Sequence, residues 1–215
     1  MRMDGAIFDL DGTLMDSMFI WDTIGGDYLQ SRGITPRENL NETFKNMSLY
    51  QAALYYQDEY GLTDTAEAII DDVNRMIEDI YRNQVVAKKG TAAFLEQLKR
   101  KHIKMCVATA TDRYLAEITL EKNQLRSYFD EIFTCGEIGH GKDEPDIFHA
   151  AHNFLNTPRE STWIFEDALY AVRTAKTTGM PVAGVYDKSE KDTQTVASLA
   201  DLYICSFEEM EVYLK

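Results

Sequence analysis

The chain has 215 residues, of which 45% are apolar, including 10 Phe, 12 Tyr and 2 Trp; this suits one large domain, or a core domain carrying a smaller insertion, and excludes a disordered or collagen-like chain. Its 36 acidic residues against 22 basic ones leave a formal charge of −14, a surface that repels nucleic-acid phosphates and anionic lipid and so excludes both as partners. The same field opposes small phosphorylated ligands at long range, but screening over about 8 Å leaves a locally positive pocket able to hold a phosphate.

In chain order, Ala6-Ile7-Phe8-Asp9-Leu10-Asp11-Gly12-Thr13 is a short apolar run ending in two carboxylates and a glycine. That is the pattern of a buried strand whose C-terminal end is functional. From residue 15 to 87 the period becomes helical. Met18, Trp21, Tyr28 and Leu29 recur at helix spacing, and Ser48 with Gln51 forms a capping box before an aromatic-rich helix that Gly61 should stop. Ala66, Ile69, Ile70, Val73, Met76, Ile77 and Ile80 then keep a period of 3.6.

Downstream, strands and helices alternate: a helix over 91–101, a strand over 103–108, a helix over 112–123 and a strand over 131–134. A helix over 146–155, a strand over 162–165, a helix over 168–178 and a strand over 181–186 follow, and a strand–helix pair at 202–205 and 207–214 closes the chain. Strands separated by single helices form right-handed crossovers and a parallel sheet. The expected fold is α/β: a Rossmann-like parallel sheet flanked by helices, built from residues 1–14 and 88–215, with an inserted all-helical cap at 15–87.

Cys106, Cys135 and Cys205 are odd in number and contain no CxxC pair, which disfavours a disulfide framework or a zinc site and fits a reducing compartment. The first residues do not read as a secretion signal, and no apolar run reaches the 18 residues or so of a membrane span, so a cytoplasmic protein is expected. A monomer or weak homodimer is expected.

In a parallel sheet, ligands bind beyond the carboxyl ends of the strands. The residues expected there are Asp9, Asp11, Thr109, Lys142, Glu166 and Asp167. Carboxylates packed together repel one another and are held most readily by a hard cation; oxygen donors suit Mg²⁺, which commonly takes a substrate phosphate oxygen as well. Lys142 and the hydroxyl of Thr109 would bind the remaining phosphate oxygens, the logic of phosphoryl transfer.

Asp9-Leu10-Asp11-Gly12-Thr13-Leu14 resembles the first motif of the haloacid dehalogenase superfamily. Val107-Ala108-Thr109 is similar to its second, Gly141-Lys142-Asp143-Glu144-Pro145-Asp146-Ile147-Phe148 to its third, and Phe165-Glu166-Asp167 followed by Gly179-Met180 to its fourth. The helical insertion after the first motif resembles the C1 cap of the β-phosphoglucomutase-like subgroup.

The resemblance implies roles. Asp9 is the nucleophile that forms an aspartyl-phosphate. Asp11 protonates the leaving group and then activates water, its backbone carbonyl also binding Mg²⁺. Thr109 and Lys142 hold the phosphoryl group with the backbone N–H groups of Leu10 and Ala110. Asp167 ligates Mg²⁺, and Glu166 is a ligand or a partner of the ligands. An aspartate at position 11 is what phosphate-handling members carry, so the substrate implied is a small phosphorylated metabolite.

Three positions depart from the mutases of the subgroup. Trp21 stands where they carry a cap-entrance histidine, Leu49 where they carry a loop arginine, and Ala168 where a serine usually follows the fourth motif. A phosphatase is therefore the favoured expectation. A phosphomutase remains as an alternative, with Arg75 or Arg82 as substitute cations, and so does a non-enzymatic phosphate-binding or signalling protein. The near match of Gly136 to Asp143 to a nucleotide-binding phosphate loop is rejected, because Asp143 stands where a hydroxyl is required and its charge would oppose a triphosphate.

Overall fold

The computed structural model describes residues 2–44 and 47–213. The apolar run at the start forms β1 (Gly5–Phe8), and the chain then turns into a two-residue strand, β2 (Met15–Asp16). Five helices follow: α1 (Met18–Trp21), α2 (Ile24–Ser31), α3 (Leu40–Phe44), α4 (Leu49–Tyr60) and α5 (Ala66–Asn83). After β3 (Val86–Ala87) come α6 (Thr91–Arg100), β4 (Lys104–Thr109), α7 (Arg113–Lys122), β5 (Glu131–Thr134), α8 (Cys135–Ile138) and α9 (Asp146–Leu155). The chain ends with β6 (Thr162–Glu166), α10 (Leu169–Thr177), β7 (Val182–Val185), α11 (Thr193–Leu199), β8 (Leu202–Ile204) and α12 (Met210–Tyr213).

Six strands make one parallel sheet in the order β5-β4-β1-β6-β7-β8. The first strand is central: Phe8 lies level with Val107 of β4 on one side and with Phe165 of β6 on the other. Because side chains alternate across a strand, each of these strands feeds two cores. Ile7, Cys106, Ala108, Ile164 and Val182 face a cluster filled by Ile147, Phe148 and Leu155 of α9 and Val172 and Ala175 of α10. Ala6, Phe8, Val107, Phe165 and Ala183 face the other way, toward Phe94 and Leu98 of α6 and Leu115 of α7. That second cluster continues without a break into the insertion, through Ile24, Tyr28, Tyr56, Ile69, Val73 and Ile77.

The helix signals in the insertion have the expected physical form. Ser48 accepts the N–H of Gln51 at 3.2 Å while the Gln51 side chain accepts the N–H of Ser48 at 2.7 Å, and Gly61 closes α4 with φ +68°. In α5, Ile69, Val73, Ile77 and Tyr81 are spaced by four residues and all buried.

Besides the short helix α8 after β5, for which the sequence reading placed no element, the structure differs from expectation in three places. The insertion is not wholly helical, because β2 and β3 pair antiparallel where the chain leaves and re-enters the sheet region. The helix α11 fills the gap between β7 and β8, where the sequence reading placed no element. The closing helix is a 3₁₀ turn over Phe207–Glu209 that runs into the four-residue α12. Residue 214, the last of that expected helix, lies outside the described residues. Among the described residues, no helix is long and apolar enough to cross a membrane.

Phe8 is the packing centre beneath the strand that ends in Asp9. Its ring stacks on Phe165 at 4.5 Å between centroids and meets Phe94 and Phe129 edge-on at 6.1 and 5.9 Å. Phe8→Ala is expected to lower the unfolding free energy by about 3–5 kcal/mol, read from the urea midpoint at constant slope.

Candidate active site

The sheet register sets the site. Asp9 follows β1, Thr109 ends β4, and Glu166 ends β6 with Asp167 next to it, so three neighbouring strands deliver these side chains to one edge. The chain must turn sharply after Asp11, and Gly12 does so at φ +82°. A Cβ at Gly12 would lie 2.3 Å from Oδ2 of Asp167 and 2.9 Å from Cγ of Met18, so glycine is required both by the backbone and by the space.

Asp9, Glu166 and Asp167 are buried, and one oxygen from each lies within 4.8 Å of the others. Lys142, also buried, reaches this cluster from the loop before α9. Its Nζ donates to Oδ1 of Asp9 and, at 2.5 Å, to Oε1 of Glu166. The other oxygen of Glu166 accepts the N–H groups of Asp167 at 3.0 Å and Ala168 at 3.2 Å. Both Glu166 oxygens are therefore engaged by donors. Asp167 accepts the hydroxyl of Thr13 at 2.9 Å on Oδ1.

The charges explain the proton affinities. Burial pushes the Asp9 carboxyl up to about 7, against the pull of Lys142 and with the repulsion of Glu166 added. Burial, then Glu166 and Asp9, hold Asp167 well above the ordinary carboxylate range. Burial opposes the charge on Lys142, but Asp9 and Glu166 outweigh it and raise its pKa. One ammonium cannot neutralise three carboxylates. An all-oxygen donor set, buried and still short of positive charge, fits a divalent hard cation. Asp9 and Asp167 would hold it.

The carboxylate of Asp11 stands outside that cluster and is gripped by hydroxyls. Ser17 and Tyr81 donate to its Oδ1 at 2.5 and 2.6 Å, and Thr111 donates to Oδ2 at 2.5 Å. Tyr81 in turn accepts the indole N–H of Trp21 at 3.2 Å. Thr109 is buried, with its hydroxyl accepting the N–H of Thr111 at 3.0 Å. Asp9, Asp11, Thr109, Ala110, Lys142, Glu166 and Asp167 all line one cavity of about 370 Å³. The Leu10 side chain is buried in the core, leaving only its backbone for a ligand.

Ser17, Tyr81 and Thr111 are site residues that sequence reasoning missed. Thr111, two residues beyond Thr109 at the end of an apolar strand, is the one with a local signal. Of the substitute cations, Arg75 pairs with Asp72 and Arg82 with Glu78, both largely exposed and neither lining the cavity.

Residues 6–185 match the haloacid dehalogenase-like hydrolases, and the chain belongs to that family of enzymes. It is 26% identical to a phosphorylated carbohydrates phosphatase of Thermotoga maritima over 83% of this chain and 82% of that one. It is 30% identical to the mitochondrial (DL)-glycerol-3-phosphatase 1 of Arabidopsis thaliana, over 91% of this chain and 70% of the relative. In structure it superposes on CbbY of Rhodobacter sphaeroides in complex with phosphate with a TM-score of 0.84, at 21% identity over 97% of this chain and 96% of the other.

The raised affinity of Asp9 for protons has a sign that can be measured. In the unfolded chain this group titrates at an ordinary 3.8, and in the folded one at about 7. A group shifted upward favours folding at low pH and loses that contribution as pH rises through the folded value. In EDTA, Tm is expected to fall between about pH 5 and about pH 8, and excess Mg²⁺ to raise Tm more at the higher pH. A pH-independent Mg²⁺ effect would contradict this account of the carboxylate cluster.

Proposed function

We propose that the protein is a Mg²⁺-dependent phosphatase that hydrolyses a small phosphorylated metabolite through an aspartyl-phosphate on Asp9. The single observation that carries this reading is the placement of Asp9, buried at a strand end, within hydrogen-bonding reach of Lys142 and beside Glu166 and Asp167. The phosphatase relatives support the same reaction class.

In the first half-reaction an oxygen of Asp9 attacks phosphorus and the ester P–O bond breaks. Asp11 gives its proton to the departing alkoxide. In the second half-reaction Asp11 takes a proton from water, the water oxygen attacks phosphorus, and inorganic phosphate leaves Asp9 free. Lys142 and the Thr109 hydroxyl hold the oxygens of the transferring group, with the N–H groups of Leu10 and Ala110. Asp9, Asp167 and the backbone carbonyl of Asp11 would hold Mg²⁺, which when bound supplies positive charge against the phosphoryl oxygens. Glu166 aims Lys142, since its own oxygens are occupied by that ammonium and two backbone N–H groups.

Hydrolysis is favoured over isomerisation by the residues of 15–87, which we take as a cap over this cavity. A mutase must hold a second phosphate while the intermediate turns over. At the two places where cationic groups are expected for that purpose the cavity presents Trp21 and Leu49.

Asp9→Asn is expected to reduce phosphate release below about 1% of the wild-type rate while leaving the fold intact, because the amide is no nucleophile. Retention of substantial turnover, in a variant with wild-type circular dichroism, would reject the mechanism. Asp167→Ala should raise the Mg²⁺ concentration for half-maximal activity at least about tenfold, and Glu166→Ala by clearly less. Equal shifts, or a larger one for Glu166, would reverse that division of roles.

A further inference from the structure

The cavity has two chemically different ends. Its floor is the charged cluster of Asp9, Lys142, Glu166 and Asp167, whereas the wall supplied by the insertion is built from Trp21, Phe44, Leu49, Ile69, Ile70 and Val73. The polar groups the insertion adds are few and largely committed. Ser48 is used to cap α4, and the Tyr56 hydroxyl donates to the Gly25 carbonyl at 2.9 Å. Asp22 adds a negative charge. Among the described lining residues the only cation besides Lys142 is Lys191, which comes from the loop after β7 and not from the insertion.

We propose that the substrate is a monophosphate ester of an uncharged, largely apolar alcohol about the size of one ring, a refinement that rests on the phosphatase reading above. A polyol or sugar would lose hydroxyl hydrogen bonds to water against this wall without replacement, and each unpaired polar group is costly when buried. On the side of the insertion, a second phosphate or a carboxylate would meet apolar side chains and Asp22. An apolar leaving group instead exchanges water for Ile, Val, Phe and Trp surface, the ordinary driving force for ligand burial. The volume, about 370 Å³ including the phosphate end, lies near the bottom of the range of about 300–1,000 Å³ for small-molecule sites.

The test compares kcat/KM for benzyl phosphate with glycerol 3-phosphate, glucose 6-phosphate and 6-phosphogluconate in the presence of Mg²⁺. All four release alkyl alcohols, so differences report the wall and not the leaving-group chemistry. Acetyl phosphate serves as the reference, because its leaving group is too short to depend on the wall. Benzyl phosphate is expected to exceed each polar ester at least about 30-fold. Ile70→Asn, at a half-buried position, should lower the ratio of benzyl to acetyl phosphate kcat/KM at least about tenfold. Turnover of acetyl phosphate with glucose 6-phosphate or 6-phosphogluconate preferred to benzyl phosphate would overturn the apolar-substrate inference and leave the phosphatase reading standing. An unchanged ratio in Ile70→Asn would likewise overturn the inference. Failure to hydrolyse any of the five compounds would overturn the phosphatase reading, and the inference with it.

Discussion

Three buried carboxylates share a single buried ammonium, and the rest of the molecule is arranged around that imbalance. Burying an ion costs several kcal/mol even after relaxation, so Asp9, Glu166 and Asp167 can be kept together only where other groups hold them in place. Lys142 bridges Asp9 and Glu166, two backbone N–H groups bind the second oxygen of Glu166, Thr13 binds one oxygen of Asp167, and Gly12 keeps the turn clear of Asp167. The parallel sheet provides the rigidity this needs. With β1 hydrogen-bonded on both sides, Asp9 has no freedom to move away from Glu166 without disrupting two ladders. The residual negative charge is what gives a cation or the positive end of a ligand environment its purchase.

Contact-range donors explain how a protein with a net charge of −14 can take an anion. The global field is screened within a few residues' distance, whereas Lys142 and the strand-end N–H groups act at contact range among buried side chains. Local geometry prevails over the overall charge at short range. The overall charge governs which partners approach and how fast.

Much of this was legible in the sequence, for a physical reason. Buried parallel strands are short apolar runs, so polar residues at their ends are conspicuous, and Asp9, Thr109, Glu166 and Asp167 are legible as candidates. The Ser48–Gln51 box and Gly61 were likewise local signals with local causes, and the structure realises each of them. What was not legible depends on distance along the chain. Met15–Asp16 and Val86–Ala87 pair across seventy residues of insertion, and two residues are too few to establish a period. Tyr81 reads as one more apolar position on the stripe of α5, since nothing in a helical period reveals that the ring's hydroxyl will reach Asp11. Ser17 and Thr13 are ordinary small polar residues until the turn at Gly12 folds them back on the site.

Asp11 shows how the two parts of the chain meet in one functional group. Its three donors come from three places: Ser17 from the start of the insertion, Tyr81 from the last turn of α5, and Thr111 from the loop after β4. Hydroxyls can both donate and accept, so this cage can orient the carboxyl group in either protonation state, as a group that first gives and then takes a proton requires. Trp21 fixes the Tyr81 hydroxyl from the far side while its ring faces the cavity. The orientation of Asp11 therefore depends on where α1 and α5 lie relative to the sheet, and the residues that form the apolar wall belong to the same helices and their neighbours. A change in the wall is thus felt at Asp11 through Trp21 and Tyr81. On the proposed mechanism, substrate fit and acid–base geometry are joined by that one pair of side chains.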